Sequence, residues 1–284
     1  MSQPVWFITG VSNGFGLLLT LRALKAGHRV VGTLRNKAKH ANAVKQIEAA
    51  GGEVVEMDMT ESQASIYQKV KAVGTIDYLI NNAGYCIFSS LEQMSEKEVT
   101  TLIATNLFGP IYVMQAALEG MRARRSGLIV NLSSIAAKDP LPASALYAGS
   151  KAALEATSEA LQREVESFGI SILIVEPGAF RTNFLSGMQL SENPLPDDYK
   201  NSVVGQSLEK FAGADGKQAG DPEKGIERIF EAVTGEGMAG ELKGKVLRLV
   251  IGEDALTRMK RNNAKFVEDF TVGEKVALST GYDS

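Results

Sequence analysis

Thr9-Gly10-Val11-Ser12-Asn13-Gly14-Phe15-Gly16 is the stretch that decides the fold of this chain. It follows an apolar run, Val5–Thr9, that predicts a buried strand, and it leads into a segment of helical length at residues 16–26. Glycine permits tight turns and lets the backbone approach a ligand closely. The N-terminus of the following helix presents unpaired N–H groups, which suit a pyrophosphate. The stretch therefore predicts a dinucleotide site, and a tight turn without a ligand is the alternative.

Short apolar runs alternate with helical stretches along most of the chain. Alternating strands and helices indicate parallel strands joined by crossover helices, and nearly continuous apolar strands indicate a sheet covered on both faces. The predicted strands are residues 5–9, 29–34, 53–57, 78–81, 127–132, 170–176 and 245–251, and the predicted helices are residues 16–26, 38–49, 61–73, 96–122, 145–168 and 222–234. We therefore expect an α/β fold, a Rossmann-type doubly wound parallel sheet of about seven strands, in a single domain over residues 1–284.

Residues 186–221 break this alternation with two prolines, five glycines and many polar residues. The segment is too long for an ordinary connection, and it follows the sixth strand at the edge of the sheet where ligands bind. We predict a substrate-covering insertion with a short helix near residues 202–211, and a disordered surface insertion is the alternative. The end of the chain, residues 254–284, is predicted to be a helical tail, with an amphipathic helix over 254–269 followed by polar residues.

Composition excludes several classes of function. The chain has 284 residues and a net charge of −3, so it lacks the basic surface that nucleic acid or an anionic membrane requires. It has one cysteine, Cys86, and two histidines without companions at metal-ligand spacing, so we expect neither an intramolecular disulfide nor a metal site. No signal peptide is evident, and no run approaches the roughly 18 apolar residues of a membrane span. We therefore expect a cytoplasmic protein without a membrane span.

The ends of the second and third strands carry residues suited to the adenosine half of a dinucleotide. NAD sites of this type usually place an acidic residue after the second strand to bind the ribose hydroxyls. This chain has Arg35 there instead, and a guanidinium matches a phosphate, which favours NADP(H). After the third strand, Asp58 and the neighbouring Met59 could contact the adenine. Asp58 could equally be a signal for the start of a helix.

Tyr147 and Lys151 lie four residues apart in a predicted helix, and therefore on one face of it. A nearby ammonium favours the phenolate and lowers the pKa of a tyrosine, which makes it a better acid–base group near neutral pH. Ser134, at the end of the preceding strand, could hold a substrate oxygen by a hydrogen bond. A tyrosine and a lysine at this spacing also occur on ordinary helix surfaces, so the neighbouring motifs decide the interpretation.

Those motifs resemble the short-chain dehydrogenase/reductase family in its single-domain form. The glycine stretch fits the pattern TGxxxGxG, residues 81–84 fit NNAG, and residues 177–182 fit PGxxxT. Ser134 precedes Tyr147 by thirteen residues, which is the spacing the family uses. Asn106 falls where the family has a helix-borne catalytic asparagine. The match extends from Val5 to about Thr182, and more loosely to Ile251.

The resemblance implies a role for each matching residue. Tyr147 would be the acid–base residue, Lys151 would lower its pKa and hold the nicotinamide ribose, and Ser134 would orient the substrate oxygen. Asn106 would anchor a water molecule in a proton relay. The residues implied in cofactor binding are Gly10, Ser12, Asn13, Gly14, Phe15, Gly16, Arg35, Asp58, Met59, Asn82, Ala83, Gly84, Tyr147, Lys151, Pro177, Gly178, Phe180 and Thr182.

The implied activity is NADP(H)-dependent hydride transfer to or from a hydrophobic ketone, aldehyde or secondary alcohol. The end of the chain is similar to fungal or bacterial members that resemble retinol and hydroxysteroid dehydrogenases. We expect the substrate pocket to be apolar and lined by Ile87, Phe88, Ala137, Leu141, Phe180, Phe184, Leu185 and Met188. Members of the family commonly form homodimers or homotetramers. The alternatives are an epimerase or dehydratase that keeps the cofactor, and a dinucleotide-binding protein without catalysis.

Overall fold

A seven-stranded sheet forms the centre of the computed structural model, which describes residues 3–282. Its strands are β1 (Val5–Thr9), β2 (Arg29–Leu34), β3 (Glu53–Glu56), β4 (Tyr78–Asn81), β6 (Gly127–Leu132), β7 (Ile170–Pro177) and β9 (Arg248–Ile251), and a separate pair joins β5 (Ile87–Phe88) to β8 (Gln189–Leu190). All pairings are parallel, in the order β3-β2-β1-β4-β6-β7-β9. The order reverses between β1 and β4, where sheets of this kind bind ligands. The predicted fold class is confirmed.

Helices cover both faces of the sheet. They are α1 (Gly14–Lys25), α2 (Ala41–Ala49), α3 (Gln63–Ala72), α4 (Glu96–Ile103), α5 (Gly109–Arg124), α6 (Ala145–Val165), α7 (Asn183–Ser186), α8 (Asp197–Lys200), α9 (Val203–Gly213), α10 (Pro222–Thr234) and α11 (Glu253–Leu278), with short 3₁₀ turns at Leu91–Gln93, Ile135–Ala137, Glu166–Phe168 and Gly240–Leu242.

Strand β1 shows why the sheet is buried on both sides. Its side chains point alternately to opposite faces. Trp6 packs with α1, α2 and α10, and its ring stacks on Phe230 at 5.7 Å between centroids. Phe7 packs on the other face with α3, α5 and α6. Because both layers bury large apolar side chains on one strand, the carboxyl end of β1 is held firmly in place.

The structure departs from the sequence expectations in two segments and agrees with them in a third. The predicted helix over residues 96–122 is interrupted by a π-helical turn at Ala104–Phe108. The segment 186–221 contains β8, α8 and α9, so it has regular structure and includes the short helix expected near residues 202–211. The expected polar tail after residue 269 is wrong, because α11 continues to Leu278. Apolar residues recur at helical spacing beyond residue 269, and that extension was missed.

One helical stretch, Glu96–Arg124, is long and apolar enough to cross a membrane by length and composition, with a mean hydropathy of 1.3 in its most apolar window. This differs from the expectation that no run approaches such a span. Half of that window is buried inside the fold, and a core helix meets the same criteria. Val113, Met114 and Met121 of α5 pack into the core beneath the sheet, which accounts for the composition.

Candidate active site

The turn between β1 and α1 is shaped so that only glycine fits at its key positions. Gly10 has φ +74°, and a Cβ atom there would lie 2.8 Å from the Cα atom of Ala83. A Cβ atom at Gly16 would lie 2.2 Å from the carbonyl oxygen of Gly10. The backbone therefore passes close to the end of β4 and leaves the N-terminus of α1 open toward the cavity. This cradle fits a pyrophosphate group, as the sequence predicted.

Thr9 and Asn82 join this turn to the end of β4. The Oγ1 atom of Thr9 accepts hydrogen bonds from the backbone N–H groups of Asn82 and Ala83, both at 3.0 Å. The side-chain amide of Asn82 donates to the carbonyl oxygens of Thr9 at 2.9 Å and Gly10 at 3.0 Å. The two motifs thus form one rigid unit at the point where the strand order reverses.

A cavity of about 760 Å³ opens along the carboxyl edge of the sheet. It brings together most of the predicted cofactor residues, which are distant in sequence. Those that line it are Gly10, Ser12, Asn13, Gly14, Phe15, Arg35, Met59, Asn82, Ala83, Gly84, Tyr147, Lys151, Pro177, Gly178, Phe180 and Thr182. Gly16 and Asp58 do not line it, since Gly16 is covered by the turn itself and Asp58 faces its own loop.

The adenosine end of the cavity is more basic than the sequence indicated. Lys39 and His40 line it beside Arg35, and both were missed because they lie in the loop between β2 and α2 without a recognisable motif. Asp58 accepts hydrogen bonds from the backbone N–H and the hydroxyl of Thr60, at 2.9 and 2.8 Å. The carboxylate therefore stabilises a turn, while Ser62 caps helix α3.

Tyr147, Lys151 and Ser134 line the central part of the cavity together. The Nζ atom of Lys151 lies 5.9 Å from the centre of the Tyr147 ring and donates a hydrogen bond of 2.7 Å to the carbonyl oxygen of Leu132. Helix α6 provides the tyrosine and the lysine from successive turns, and β6 ends just before the serine. The three side chains that the sequence singled out therefore share one site.

The pKa values differ from the simple expectation. Burial raises the pKa of Tyr147, and a hydrogen bond with Ser134 opposes this only in part. Burial lowers the pKa of Lys151 to about 8, although the negative charge of Glu155 opposes the shift. Burial of the hydroxyl is the dominant influence on the Tyr147 pKa, and the charge of Lys151 is not among its causes, so the expected lowering by the lysine does not apply here. Tyr147 stays a phenol at neutral pH.

Asn106 lies in the π-helical turn between α4 and α5 and is fully buried. Its amide donates to the carbonyl oxygen of Tyr85 at 2.9 Å and to the hydroxyl of Ser150 at 3.0 Å, and its oxygen accepts from the N–H of Tyr85 at 3.1 Å. Ser150 in turn donates to the carbonyl oxygen of Tyr147 at 2.7 Å. The helix irregularity thus places Asn106 behind the site, where it supports the start of α6.

Two buried carboxyl groups behind Lys151 were not anticipated. Glu155 is 1% exposed and pairs with Lys138 at 2.8 Å, and it also accepts a hydrogen bond from Ser133. Glu176 is fully buried, and burial together with the charge of Glu155 raises its pKa to about 7. Glu155 lies one helical turn after Lys151, and that spacing was a signal available in the sequence.

The substrate end of the cavity is largely apolar. Phe88, Leu141, Phe180, Phe184 and Leu185 line it as predicted. The prediction is wrong for Ile87, Ala137 and Met188, because their neighbours Phe88, Ala136 and Gly187 face the cavity instead. The structure adds Cys86, Phe211, Lys217, Gln218 and Arg258.

The segment 186–221 contributes directly to this wall. The pairing of β5 with β8 holds it against the rest of the fold. The ring of Phe211, from α9, packs on Phe88 at 4.7 Å between centroids. The residues of segment 186–221 that line the cavity are Gly187, Gln189, Phe211, Ala214, Lys217 and Gln218. Such an arrangement is suited to covering a bound substrate.

Comparisons with known proteins agree with this geometry. The family model for the short chain dehydrogenase matches residues 4–193. An oxidoreductase of Botryotinia fuckeliana, BOA17, is 34% identical over 89% of this chain and 90% of that protein. A 3-ketodihydrosphingosine reductase of Bacteroides thetaiotaomicron is 35% identical over 72% of this chain and 74% of that protein.

A solved structure is also similar to this chain. A short-chain dehydrogenase from Streptomyces avermitilis is 33% identical and superposes with a TM-score of 0.86, covering 99% of this chain and 100% of that one. The sheet order, the glycine cradle and the shared position of Tyr147, Lys151 and Ser134 in one cavity are thus accompanied by similarity over nearly the whole chain. The protein belongs to the short-chain dehydrogenase/reductase family and is an oxidoreductase of the kind that uses NAD(P)(H).

Proposed function

We propose that the protein is an NADP(H)-dependent reductase of hydrophobic ketones or aldehydes. The observation that carries the proposal is a single cavity that connects the basic adenosine end, the glycine cradle and the Tyr147, Lys151 and Ser134 group. A dinucleotide bound there supplies or accepts the hydride. The protein supplies the proton and the orientation of the substrate.

The side chains suggest how the proton moves. The Oη atom of Tyr147 donates its proton to the substrate oxygen as the carbonyl carbon is reduced, and the oxygen becomes the alcohol. Ser134 holds that oxygen by a hydrogen bond. Lys151 binds the ribose and stabilises the phenolate that forms. A tyrosine whose pKa is raised by burial is held as the acid, which suits the direction of reduction.

The preference for NADP(H) rests on charge at the end of β2. Arg35, Lys39 and His40 line this part of the cavity, and three basic side chains suit a phosphate. Glu56, at the end of β3, accepts a hydrogen bond of 2.7 Å from the backbone N–H of Lys37 and does not line the cavity. The described residues that line the cavity beside the end of β2 are therefore basic and not acidic.

Titration of the purified protein with NADPH and NADH, followed by quenching of tryptophan fluorescence, tests the cofactor proposal. We expect NADPH to bind at least tenfold more tightly than NADH. The variant Arg35→Ala should reduce this difference, while Lys25→Ala, a change on the exposed end of α1, should preserve it. Tighter binding of NADH would contradict the NADP(H) preference but not the enzyme class.

The substrate class follows from the aromatic and aliphatic lining of the far end of the cavity. Such a wall favours a substrate with an apolar body around the reacting carbonyl. The similarity to a 3-ketodihydrosphingosine reductase supports a hydrophobic ketone as the class to test first. Consumption of NADPH should be measured with aliphatic ketones of increasing length and with small polar ketones as controls. A preference for the polar ketones would contradict the proposal.

A further inference from the structure

Helix α11 leaves its C-terminal half without a partner among the described residues. Its first part is anchored, because Arg258 and Arg261 both pair with Asp139 at 2.7 Å. Beyond Asn262, apolar side chains face solvent. Their exposed fractions are 49% for Phe266, 63% for Val267, 69% for Phe270, 71% for Val276 and 77% for Leu278. Apolar side chains concentrated on one projecting helix indicate a surface that another molecule covers.

Two of these exposed residues, Phe266 and Phe270, lie at the spacing of a helix-pairing seam, and Val267 and Val276 lie on either side of it. Positions 259, 263, 266, 270, 273 and 277 are separated alternately by four and three residues and hold Met, Asn, Phe, Phe, Gly and Ala. Side chains with this spacing form one stripe along a helix and pack into a facing helix. The two large rings, Phe266 and Phe270, are followed by the two smallest residues, Gly273 and Ala277.

This order of large and small residues is self-complementary in one orientation. If two copies of α11 lie antiparallel about a twofold axis between Thr271 and Val272, Phe270 faces Gly273 of the second copy, and Phe266 faces Ala277 of the second copy. In this register each large ring packs against a small residue of the second copy. A parallel pair would place ring against ring and glycine against glycine, which overfills one layer and leaves a void in the next.

We infer that α11 is a dimerisation helix that binds α11 of a second copy of this chain in this antiparallel register. The four seam rings of the two copies expose on the order of 500 Å² of apolar surface, and Val267 and Val276 of each copy add to the contact at its edges. An isologous contact of this kind closes on itself, as most homodimers do. Residues 263–278 carry two lysines and three acidic residues, so the helix lacks the basic face that attracts an anionic membrane.

The molar mass in solution, measured by light scattering after gel filtration, tests this inference. We expect Phe270→Glu to halve the mass relative to the unchanged protein at micromolar concentration. Val272→Glu is the matched control, because Val272 is 81% exposed but lies on the opposite side of the helix. It should leave the mass unchanged. An unchanged mass for Phe270→Glu, or an equal loss for both variants, would overturn the inference.

The register is tested by cross-linking with a short bismaleimide. The one native cysteine, Cys86, is buried, so introduced thiols report alone. We expect Phe266→Cys to cross-link to Ala277→Cys when the two variants are mixed. Phe266→Cys alone should not react with itself, because in the antiparallel pair these positions lie roughly 16 Å apart along the axis. Efficient self-linking of Phe266→Cys would refute the antiparallel register. The affinity for NADPH should be the same in Phe270→Glu and Val272→Glu as in the unchanged protein. A change in molar mass can then be distinguished from a failure of the cofactor proposal.

Discussion

Lys151 is a charged side chain that the fold keeps almost entirely out of water. It is 4% exposed, and burial lowers its pKa to about 8. Between about pH 8 and the ordinary lysine value of 10.5, the unfolded chain therefore binds more protons than the folded one. Unfolding free energy consequently rises with pH in this window. We expect the stability of the protein relative to Lys151→Met to increase by about 2 kcal/mol from pH 7 to pH 10.

Chemical denaturation of both proteins across this pH range measures the effect. The comparison with Lys151→Met cancels groups that both proteins share, such as Cys86. A second comparison with Lys45→Met, a surface change on α2, should show no such dependence on pH. A stability difference between the protein and Lys151→Met that stays constant from pH 7 to pH 10 would show that Lys151 titrates normally.

Tyr147 gives a test of the proposed chemistry at a single atom. Tyr147→Phe removes the hydroxyl and keeps the ring, which packs 5.7 Å from the ring of Phe184. We expect the NADPH dissociation constant to change less than threefold and turnover to fall at least a thousandfold, since the proton donor is lost. Tyr112→Phe, on helix α5, is the matched control and should retain turnover. Turnover within tenfold of the unchanged protein would exclude Tyr147 as the acid.

Single residues were predictable where their chemistry is tied to a sequence spacing. Tyr147 and Lys151 are four residues apart, and the structure places both in one cavity with Ser134. Lys39 and Glu176 were missed, because the position of Lys39 in the cavity and the burial of Glu176 depend on elements that are distant in sequence. The pKa of Tyr147 was misjudged for the same reason, since burial is a property of the fold and not of the local sequence.

The turn between β1 and α1 is the element on which the cofactor site depends. A Cβ atom at position 16 would lie 2.2 Å from the carbonyl oxygen of Gly10 and 2.5 Å from the Asn82 amide nitrogen. Backbone must shift to accommodate it. We expect Gly16→Ala to destabilise the protein by about 2–4 kcal/mol and to weaken NADPH binding at least tenfold.

Thermal denaturation and NADPH titration measure both effects. Gly149→Ala is the matched control, since Gly149 is an exposed position of helix α6 and a Cβ atom there meets no heavy atom within 4 Å. It should stabilise the protein slightly, by about 0.5–1 kcal/mol, because alanine is a better helix former. If Gly16→Ala and Gly149→Ala had the same thermal stability and the same NADPH affinity, the steric requirement for glycine at position 16 would be contradicted.

Elements with strong periodicity were predicted well, and those that depend on distant contacts were not. β1, β2, β4 and β6 have the predicted bounds because each is a short apolar run with clear ends. The two-residue strands β5 and β8 are too short to leave a pattern. The π-helical turn at Ala104–Phe108 has no signal of its own, although the asparagine within it was recognised.

Across the whole molecule, the end of the chain is attached to the loop that carries Ser134. Arg258 and Arg261 of α11 both contact Asp139, and Asn262 donates a hydrogen bond to the carbonyl oxygen of Lys138. Arg258 also lines the cavity. The C-terminal helix therefore holds the loop at residues 133–139 against the substrate end, a contact between residues about 120 positions apart that no local pattern reveals.

Asp139→Asn tests this connection. Burial opposes ionisation of the Asp139 carboxyl, but hydrogen bonds and charge from Arg258 and Arg261 hold its pKa below the usual range. The stabilisation is therefore present at neutral pH and is lost as pH falls through that lowered value. We expect a loss of about 1–2 kcal/mol at pH 7 and a larger increase in the substrate KM than in the NADPH dissociation constant. Glu268→Gln, which breaks an exposed pair on the same helix, should change stability by less than about 0.5 kcal/mol. If Asp139→Asn and Glu268→Gln have the same free energy of unfolding and the substrate KM of the unchanged protein, α11 does not hold the loop that carries Ser134.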